Sequence, residues 1–208
     1  MTKALIFDLD GTLVDSLKGI ASALNAALDE VGFGNYSEEV VRSFVGNGSL
    51  ELARRALPQD AKVEAAELES RFRRHYAHTW REGTEFYPGI LELLDDLGDR
   101  KIALLSNKPD VFTQEIAKHL FPDGVFDRIV GQSDAYPKKP DPESTLAILS
   151  EWNVSPEHAC FVGDSTIDLT TARNAGLRFI GVTWGYHHGA DLGGTTISRP
   201  ADLLRLIE

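Results

Sequence analysis

Four short apolar runs constrain the fold more than any other feature: Ala4 to Phe7, Ile102 to Leu105, Ala159 to Val162 and Phe179 to Val182. Each has the length of a strand, lacks polar alternation and gives way within a few residues to Asp, Ser or Gly. A strand reads this way when neither of its faces meets water. A weaker run lies at Phe126 to Val130, and helix-length patterns fill the intervals at about 88–98, 109–120, 141–152 and 165–175. Strands alternating with helices predict an α/β fold, a doubly wound parallel sheet covered on both faces and Rossmann-like in plan.

The first strand breaks the rhythm. The stretch from Asp15 to Glu85 reads as helix throughout, with Leu17, Ile20, Ala21, Leu24, Ala27, Leu28 and Val31 at helical spacing and Gly32 ending that helix. Further helical stretches follow at about 37–45, 49–57 and 62–80. The expected organisation is an α/β core of residues 1–14 and 86–208 with a small all-helical cap, 15–85, inserted after strand one. Such an insertion starts beside the strand ends where open α/β sheets bind ligands. Arg71, Arg73, Arg74, His75, His78 and Arg81 form a basic group in its last helix, but Glu64, Glu67, Glu69 and Glu82 share the neighbourhood, so a solvated face is expected.

At 208 residues the chain is long enough to bury a self-sufficient core. Its formal charge of −11 opposes a nucleic-acid backbone or an anionic membrane, so neither is expected as a partner. An anionic substrate would need a local cation. Cys160, between Ala159 and Phe161, is the single cysteine and reads as a buried structural thiol, which leaves no disulfide and no thiolate metal site. No run approaches the ~18 apolar residues of a membrane span, and the first apolar segment is too short for a signal sequence. A soluble, cytoplasmic protein is expected, as monomer or homodimer.

Asp8 and Asp10 stand two apart where the first strand ends, so an extended backbone would put both carboxylates on one face. Two carboxylates so close repel each other unless a cation sits between them. Ser106-Asn107-Lys108 follows the second run and, taken alone, reads as a turn. Gly163-Asp164-Ser165-Thr166-Ile167-Asp168 follows the third and opens a helix, which Asp164 is placed to cap, with Asp168 about one turn on.

Phe7-Asp8-Leu9-Asp10-Gly11-Thr12 resembles the first motif of the haloacid dehalogenase superfamily, most of whose members transfer phosphoryl groups. That pattern asks next for a Ser or Thr after the second core strand, a Lys before a later helix, and an acidic motif after another strand. Ser106, Lys139 in Lys139-Pro140-Asp141-Pro142, and Asp164 with Asp168 supply them in order. Lys139 is preferred to Lys138 because it directly precedes Pro140; Lys138 is assigned to solvent. The resemblance implies that Asp8 is the nucleophile and forms an aspartyl phosphate, and that Asp10 is the general acid and base. Ser106 and Lys139 would hold the phosphoryl oxygens, with Asn107 assigned to substrate binding. Asp8, the Asp10 carbonyl, Asp164 and Asp168 would form the surroundings of a Mg²⁺ ion. Charge agrees with this: four carboxylates against Lys139 would repel a dianionic phosphate, whereas one Mg²⁺ and a proton on Asp10 bring the site to neutrality.

Within that superfamily the chain resembles the bacterial phosphoglycolate phosphatases. Three segments carry this: Asp15-Ser16, Arg42-Ser43-Phe44-Val45-Gly46-Asn47-Gly48, and Gly181-Val182-Thr183-Trp184-Gly185-Tyr186. Arg42, Gly46, Asn47 and Gly48 are the expected substrate-binding residues of the cap, the glycines by letting backbone N–H groups approach a ligand and Arg42 by pairing with a carboxylate. The expected substrate is a small phosphorylated metabolite, first 2-phosphoglycolate, with pyrophosphate, nucleoside monophosphates and sugar phosphates as alternatives. A beta-phosphoglucomutase-like mutase would carry a His five residues after the linker Asp15, where this chain has Ile20. A haloalkanoate dehalogenase has no need of the second acid, Asp10. His187 and His188 are assigned to a solvated loop.

Overall fold

The computed structural model describes residues 1–187 and 192–208; His188 lies outside them. The chain divides into two compact units, Met1–Val14 with Phe86–Glu208, and Asp15–Glu85. In chain order the elements are β1 (Ala4–Phe7) and β2 (Val14–Asp15), then helices α1 (Leu17–Glu30), α2 (Glu38–Phe44), α3 (Ser49–Ala56) and α4 (Ala65–Thr79). The chain returns through β3 (Glu85–Phe86) and α5 (Ile90–Asp96) to β4 (Lys101–Pro109), α6 (Asp110–Leu120), β5 (Arg128–Gln132) and α7 (Glu143–Glu151). It closes with β6 (Ala159–Gly163), α8 (Thr166–Ala175), β7 (Arg178–Val182), β8 (Thr195–Ile197) and α9 (Leu204–Ile207). Among the described residues no helix is long and apolar enough to cross a membrane.

The first unit is built on a six-stranded sheet in the order β5-β4-β1-β6-β7-β8, each neighbouring pair parallel. β1 lies at the centre, and burial accounts for its composition: Ala4, Leu5, Ile6 and Phe7 are all 0–1% exposed. Ala4 and Ile6 join a core with Ile148 and Leu149 of α7 and with Leu169, Ala172 and Ala175 of α8. Full burial of a Leu, Ile or Phe stabilises the fold by about 1.5–3 kcal/mol each, so this strand contributes strongly to the core. Cys160 is buried inside β6, with Arg178 Nε donating to its Sγ at 3.2 Å. After β1 the chain places β4 and β5 on one side and β6, β7 and β8 on the other. The order therefore switches at β1, and the carboxyl ends of β4, β1 and β6 flank the crevice such a switch creates.

Several strands differ from the sequence expectation, among them the short pair β2 and β3 at the two ends of the stretch read as helix throughout. The fifth begins at Arg128 rather than Phe126, because the Asp127 carboxylate accepts the Ile102 N–H at 2.9 Å just before the ladder starts. β8 was not signalled at all: Thr195 and Thr196 are exposed, and an edge strand wetted on one side has no continuous apolar run to betray it.

The second unit packs around α1 and α4. Leu68, Phe72 and Tyr76 recur at a four-residue spacing and are buried, with Phe72 and Tyr76 stacked at 5.4 Å. The basic group of α4 is not uniformly solvated: Arg71, Arg74 and His75 converge on Glu30 at the end of α1, at 2.9, 2.5 and 2.8 Å. Arg71 first, then His75 and Arg74, hold the Glu30 carboxyl down at about 2. Their partner comes from a helix some forty residues earlier, outside the local charge pattern.

The start of α1 and the segment after α4 touch backbone to backbone. Gly19 N donates to the Gly83 carbonyl at 3.3 Å, and a Cβ on Gly83 would overlap the Gly19 backbone. Gly34, by contrast, faces open space. Gly83→Ala is expected to lower stability by about 1–3 kcal/mol, the usual cost of forcing packed atoms apart. Gly34→Ala should be neutral or mildly stabilising. Denaturant unfolding of both variants checks the contrast, and equal midpoints would refute the close contact.

Candidate active site

Asp8 extends the central ladder by one residue, its N–H donating to the Val162 carbonyl at 3.0 Å. Beyond it the backbone does not remain extended. The Leu9 carbonyl accepts the N–H groups of Thr12, Leu13 and Val14 at 3.3, 3.0 and 3.1 Å, and Gly11 turns with φ +86°. The curl sends the two carboxylates to different partners. Lys139 Nζ donates to Asp8 Oδ1 at 2.7 Å, and Lys108 Nζ to both oxygens of Asp10 at 2.7 and 2.8 Å.

Lys139 is buried and also donates to Asp168 Oδ1 at 2.7 Å, with its ammonium 5.4 Å from the Phe161 ring centre. Asn107 fixes its backbone: the Asn107 side chain accepts the Lys139 N–H at 2.8 Å and donates to the Lys139 carbonyl at 3.0 Å. Asn107 thus positions a cation, whatever else it meets. Ser106 lies buried on the same strand end, its Oγ accepting the Lys108 N–H at 3.2 Å. β4 runs on to Pro109, so these polar residues belong to a strand rather than to the turn that sequence alone allows. Lys138 is exposed.

The cap of α8 is Ser165 and not Asp164. Ser165 Oγ accepts the Asp168 N–H at 3.3 Å, and Asp168 Oδ2 accepts the Ser165 N–H at 3.2 Å in a reciprocal capping box. Ser stands in the non-helical position just before the first turn, one residue later than the sequence reading placed it. The Asp164 carboxylate is thereby left to point elsewhere, and Asp8, Asp164 and Asp168 each bring an oxygen within 4.8 Å of the others.

Glycines permit this crowding. A Cβ on Gly11 would overlap the Asp164 carboxylate, one on Gly163 the Asp168 carboxylate, and one on Gly185 both Asp164 and the Gly11 carbonyl. The segment after β7 holds the group from above: Trp184 Nε1 donates to the Thr12 carbonyl at 3.0 Å and Tyr186 N–H to Asp164 Oδ2 at 2.6 Å. His187 is half-buried, and its backbone N–H also reaches Asp164.

The electrostatics are those of a site short of positive charge. Burial, reinforced by Asp168 and Asp10, pushes the Asp8 carboxyl up to about 7 against the opposing pull of Lys139. Burial and the neighbouring Asp168 and Asp8 push Asp164 well above the usual carboxylate range, against the two backbone N–H groups. Burial would lower the Lys139 ammonium, but Asp168 and Asp8 outweigh it and raise it. A cluster of hard oxygen donors in this condition fits a divalent cation such as Mg²⁺. Lys108, which sequence reasoning left out of the site, changes the charge count. Four carboxylates now face two ammonium groups, so the cluster is still short of positive charge. The signal for Lys108 was its place two residues after Ser106, on the same side of an extended strand.

Arg42, Gly46, Asn47 and Gly48 belong to the second unit, Arg42 in the last turn of α2 and the others in the connection to α3. Among the described residues, Arg42 Nε is buried without a hydrogen-bond partner. Gly46 and Gly48 have φ +114° and +87°, and Arg55 Nη1 donates to the Ser43 and Phe44 carbonyls just before them.

Crowded carboxylates carry a signed consequence for stability. A folded-state pKa raised above the unfolded value of 3.8 costs stability once pH exceeds that value. Asp164→Asn is therefore expected to raise the unfolding midpoint of metal-free protein near pH 7.5 by about 2–4 °C, the shift that about 1 kcal/mol produces in a chain of this size. The gap should close as pH falls toward 4, and millimolar Mg²⁺ should stabilise the wild type more than the variant. A lower midpoint for Asp164→Asn in calorimetry without metal would contradict the crowding.

Residues 5–182 match the family model described as haloacid dehalogenase-like hydrolase. The chain is 35% identical to a phosphoglycolate phosphatase of Aquifex aeolicus over 99% of its own length and 97% of the relative's. It is likewise 35% identical to a phosphoglycolate phosphatase of Pseudomonas putida, over 100% and 79% of the two chains. Among solved structures, a predicted phosphoglycolate phosphatase from Haemophilus somnus superposes with a TM-score of 0.91 at 29% identity, covering 100% of this chain and 98% of that one. A haloacid dehalogenase-like family hydrolase from Streptococcus pneumoniae superposes at 0.90 with 28% identity, covering 100% and 99%. The chain belongs to the haloacid dehalogenase-like hydrolase family, as a phosphoric monoester hydrolase resembling the phosphoglycolate phosphatases.

Proposed function

We propose that the chain hydrolyses a small phosphate monoester through a covalent aspartyl phosphate on Asp8, and that 2-phosphoglycolate is its substrate. The observation that carries the chemistry is the buried Asp8 carboxylate, held by Lys139 and bordered by Asp164 and Asp168. The substrate rests on the relatives' names. Buried Ile20, at the position where a mutase-like chain would carry a His, supports hydrolysis over transfer between sugars.

In this reading an Asp8 oxygen attacks phosphorus, the bond from phosphorus to the ester oxygen breaks, and Asp10 hands that oxygen a proton. A water then returns its proton to Asp10 and attacks phosphorus, breaking the bond to Asp8 and releasing inorganic phosphate. Lys139 and the Ser106 hydroxyl face the transferring oxygens, where preformed positive charge and donors stabilise the transition state most. Asp8, Asp164, Asp168 and the Asp10 carbonyl would hold Mg²⁺, whose charge would keep the carboxylates ionised together and polarise a phosphoryl oxygen. Arg42 and the Gly46–Gly48 backbone would bind the remainder of the substrate. The protein is proposed to work in the cytoplasm, as monomer or homodimer, on a metabolite rather than on nucleic acid or membrane.

With Mg²⁺ and a panel of small phosphate esters, 2-phosphoglycolate is expected to give the highest kcat/KM. Equal or better turnover of pyrophosphate, a nucleoside monophosphate or a sugar phosphate would reassign the substrate. Asp8→Asn should lower kcat by about a thousandfold or more while leaving the unfolding transition cooperative. A chelator should abolish turnover reversibly. Full activity after either treatment would sink the mechanism.

A further inference from the structure

Asp10 lies on a turn beyond the end of β1, so the ladder of the six-stranded sheet does not hold it in place. Inside the turn the Leu9 carbonyl gathers three N–H groups, and the Gly11 N–H donates to the Val14 carbonyl at 2.9 Å. Two carbonyls of the turn are held from outside. The Leu13 carbonyl accepts the Tyr87 N–H at 3.3 Å, and the Thr12 carbonyl, two residues after Asp10, accepts the Trp184 indole N–H at 3.0 Å. The geometry points to Trp184 as a positioning residue for proton transfer: by holding Thr12 it fixes the turn that aims Asp10. The inference rests on the proposed function, since it takes Asp10 as the acid that meets the ester oxygen.

The segment that supplies Trp184 is itself anchored at both ends. The Thr183 N–H donates to the Ile197 carbonyl at 3.1 Å, tying the start of the segment to β8, and the Tyr186 N–H donates to Asp164 Oδ2 at 2.6 Å. Between them Gly185 lies so close to the Gly11 carbonyl and to Asp164 that a Cβ would overlap both. The Trp184 side chain is half-buried, and its ring tilts against that of Tyr87 at 6.5 Å between centres. A piece of backbone fixed to the sheet and to Asp164 therefore braces the turn from outside.

A general acid works only within hydrogen-bond reach of the oxygen it protonates. Misplacing a reacting group by about 1 Å costs on the order of 100-fold in rate. Trp184→Phe keeps a ring beside Tyr87 and removes only the N–H, which leaves the turn closed by its own hydrogen bonds and able to shift as a unit. The loss then falls on the step in which the proton is given. An alkyl phosphate needs that proton because an alkoxide is a poor leaving group. p-Nitrophenolate leaves as a stabilised anion and has little need of it.

The test measures kcat/KM, which reports the steps up to transfer onto Asp8, for 2-phosphoglycolate and p-nitrophenyl phosphate with Mg²⁺. Trp184→Phe is expected to lower the value for 2-phosphoglycolate by about 10- to 100-fold and that for p-nitrophenyl phosphate by less than about threefold. Adding Trp184→Phe to Asp10→Asn should cost little beyond Asp10→Asn alone, because the indole acts through the carboxyl already replaced. Losses that multiply in the double variant, or a Trp184→Phe loss equal for the two esters, reveal a structural or binding role and overturn the inference. Should Trp184→Phe fail to fold, solvent exchange of the wild-type indole N–H in ¹⁵N NMR decides: slow exchange is expected, and exchange as fast as that of a free indole overturns the bond itself. Asp10→Asn that depresses both esters alike defeats the acid role in the proposed function, whereas a selective Asp10→Asn beside an unselective Trp184→Phe defeats only the assignment of Trp184.

Discussion

The bridge from Lys139 to Asp8 and Asp168 is the interaction on which the rest of the site depends. It ties together three segments distant in sequence: the end of the central strand, the loop before α7 and the first turn of α8. A buried ammonium between two carboxylates is costly to desolvate and is tolerated only when its geometry and surrounding hydrogen bonds are complete. Here they are supplied by Asn107, which brackets the Lys139 backbone, and by Ser165, which engages Asp168. The second carboxylate oxygen of Asp168 serves the helix cap while the first serves Lys139, so one residue fixes both the start of α8 and the charge beside Asp8.

Placing like charges so close demands room and restraint. The room comes from Gly11, Gly163 and Gly185, none of which has space for a Cβ. The restraint comes from the backbone after β7, where Tyr186 N–H meets Asp164 and the Trp184 indole meets the Thr12 carbonyl. This arrangement stores electrostatic repulsion that a divalent cation would relieve. Stability and chemistry oppose each other here, as is usual where a site is organised for a ligand rather than for the fold.

Two lysines divide the work. Lys139 pairs with Asp8 and Asp168, while Lys108 pairs with Asp10. Lys108 lies at the end of β4 beside β1 and Lys139 in the connection after β5, so the switch in strand order gathers these lysines and the carboxylates at one end of the sheet.

Much of this was legible from residue order alone. Runs such as Leu5-Ile6-Phe7 and Cys160-Phe161-Val162 declare strands buried on both faces, and the Asp, Ser and Gly that follow them declare where those strands stop covering apolar surface. Asp8, Asp10, Asp164 and Asp168 stood out at those strand ends, while Ser106 and Lys139 came from the resemblance to the haloacid dehalogenase motifs, Lys139 over Lys138 because it directly precedes Pro140. What sequence could not provide was partnership. Which carboxylate Lys108 would meet, that Ser165 rather than Asp164 would cap α8, that Glu30 would gather Arg71, Arg74 and His75, and that a polar segment would add β8 at the sheet edge all depend on contacts between residues far apart in the chain. Periodicity and local composition report which way a residue faces relative to water. A charge finds its partner through three-dimensional proximity at a few ångströms, and that is decided only when the sheet order and the turns around Leu9 and Gly185 are in place.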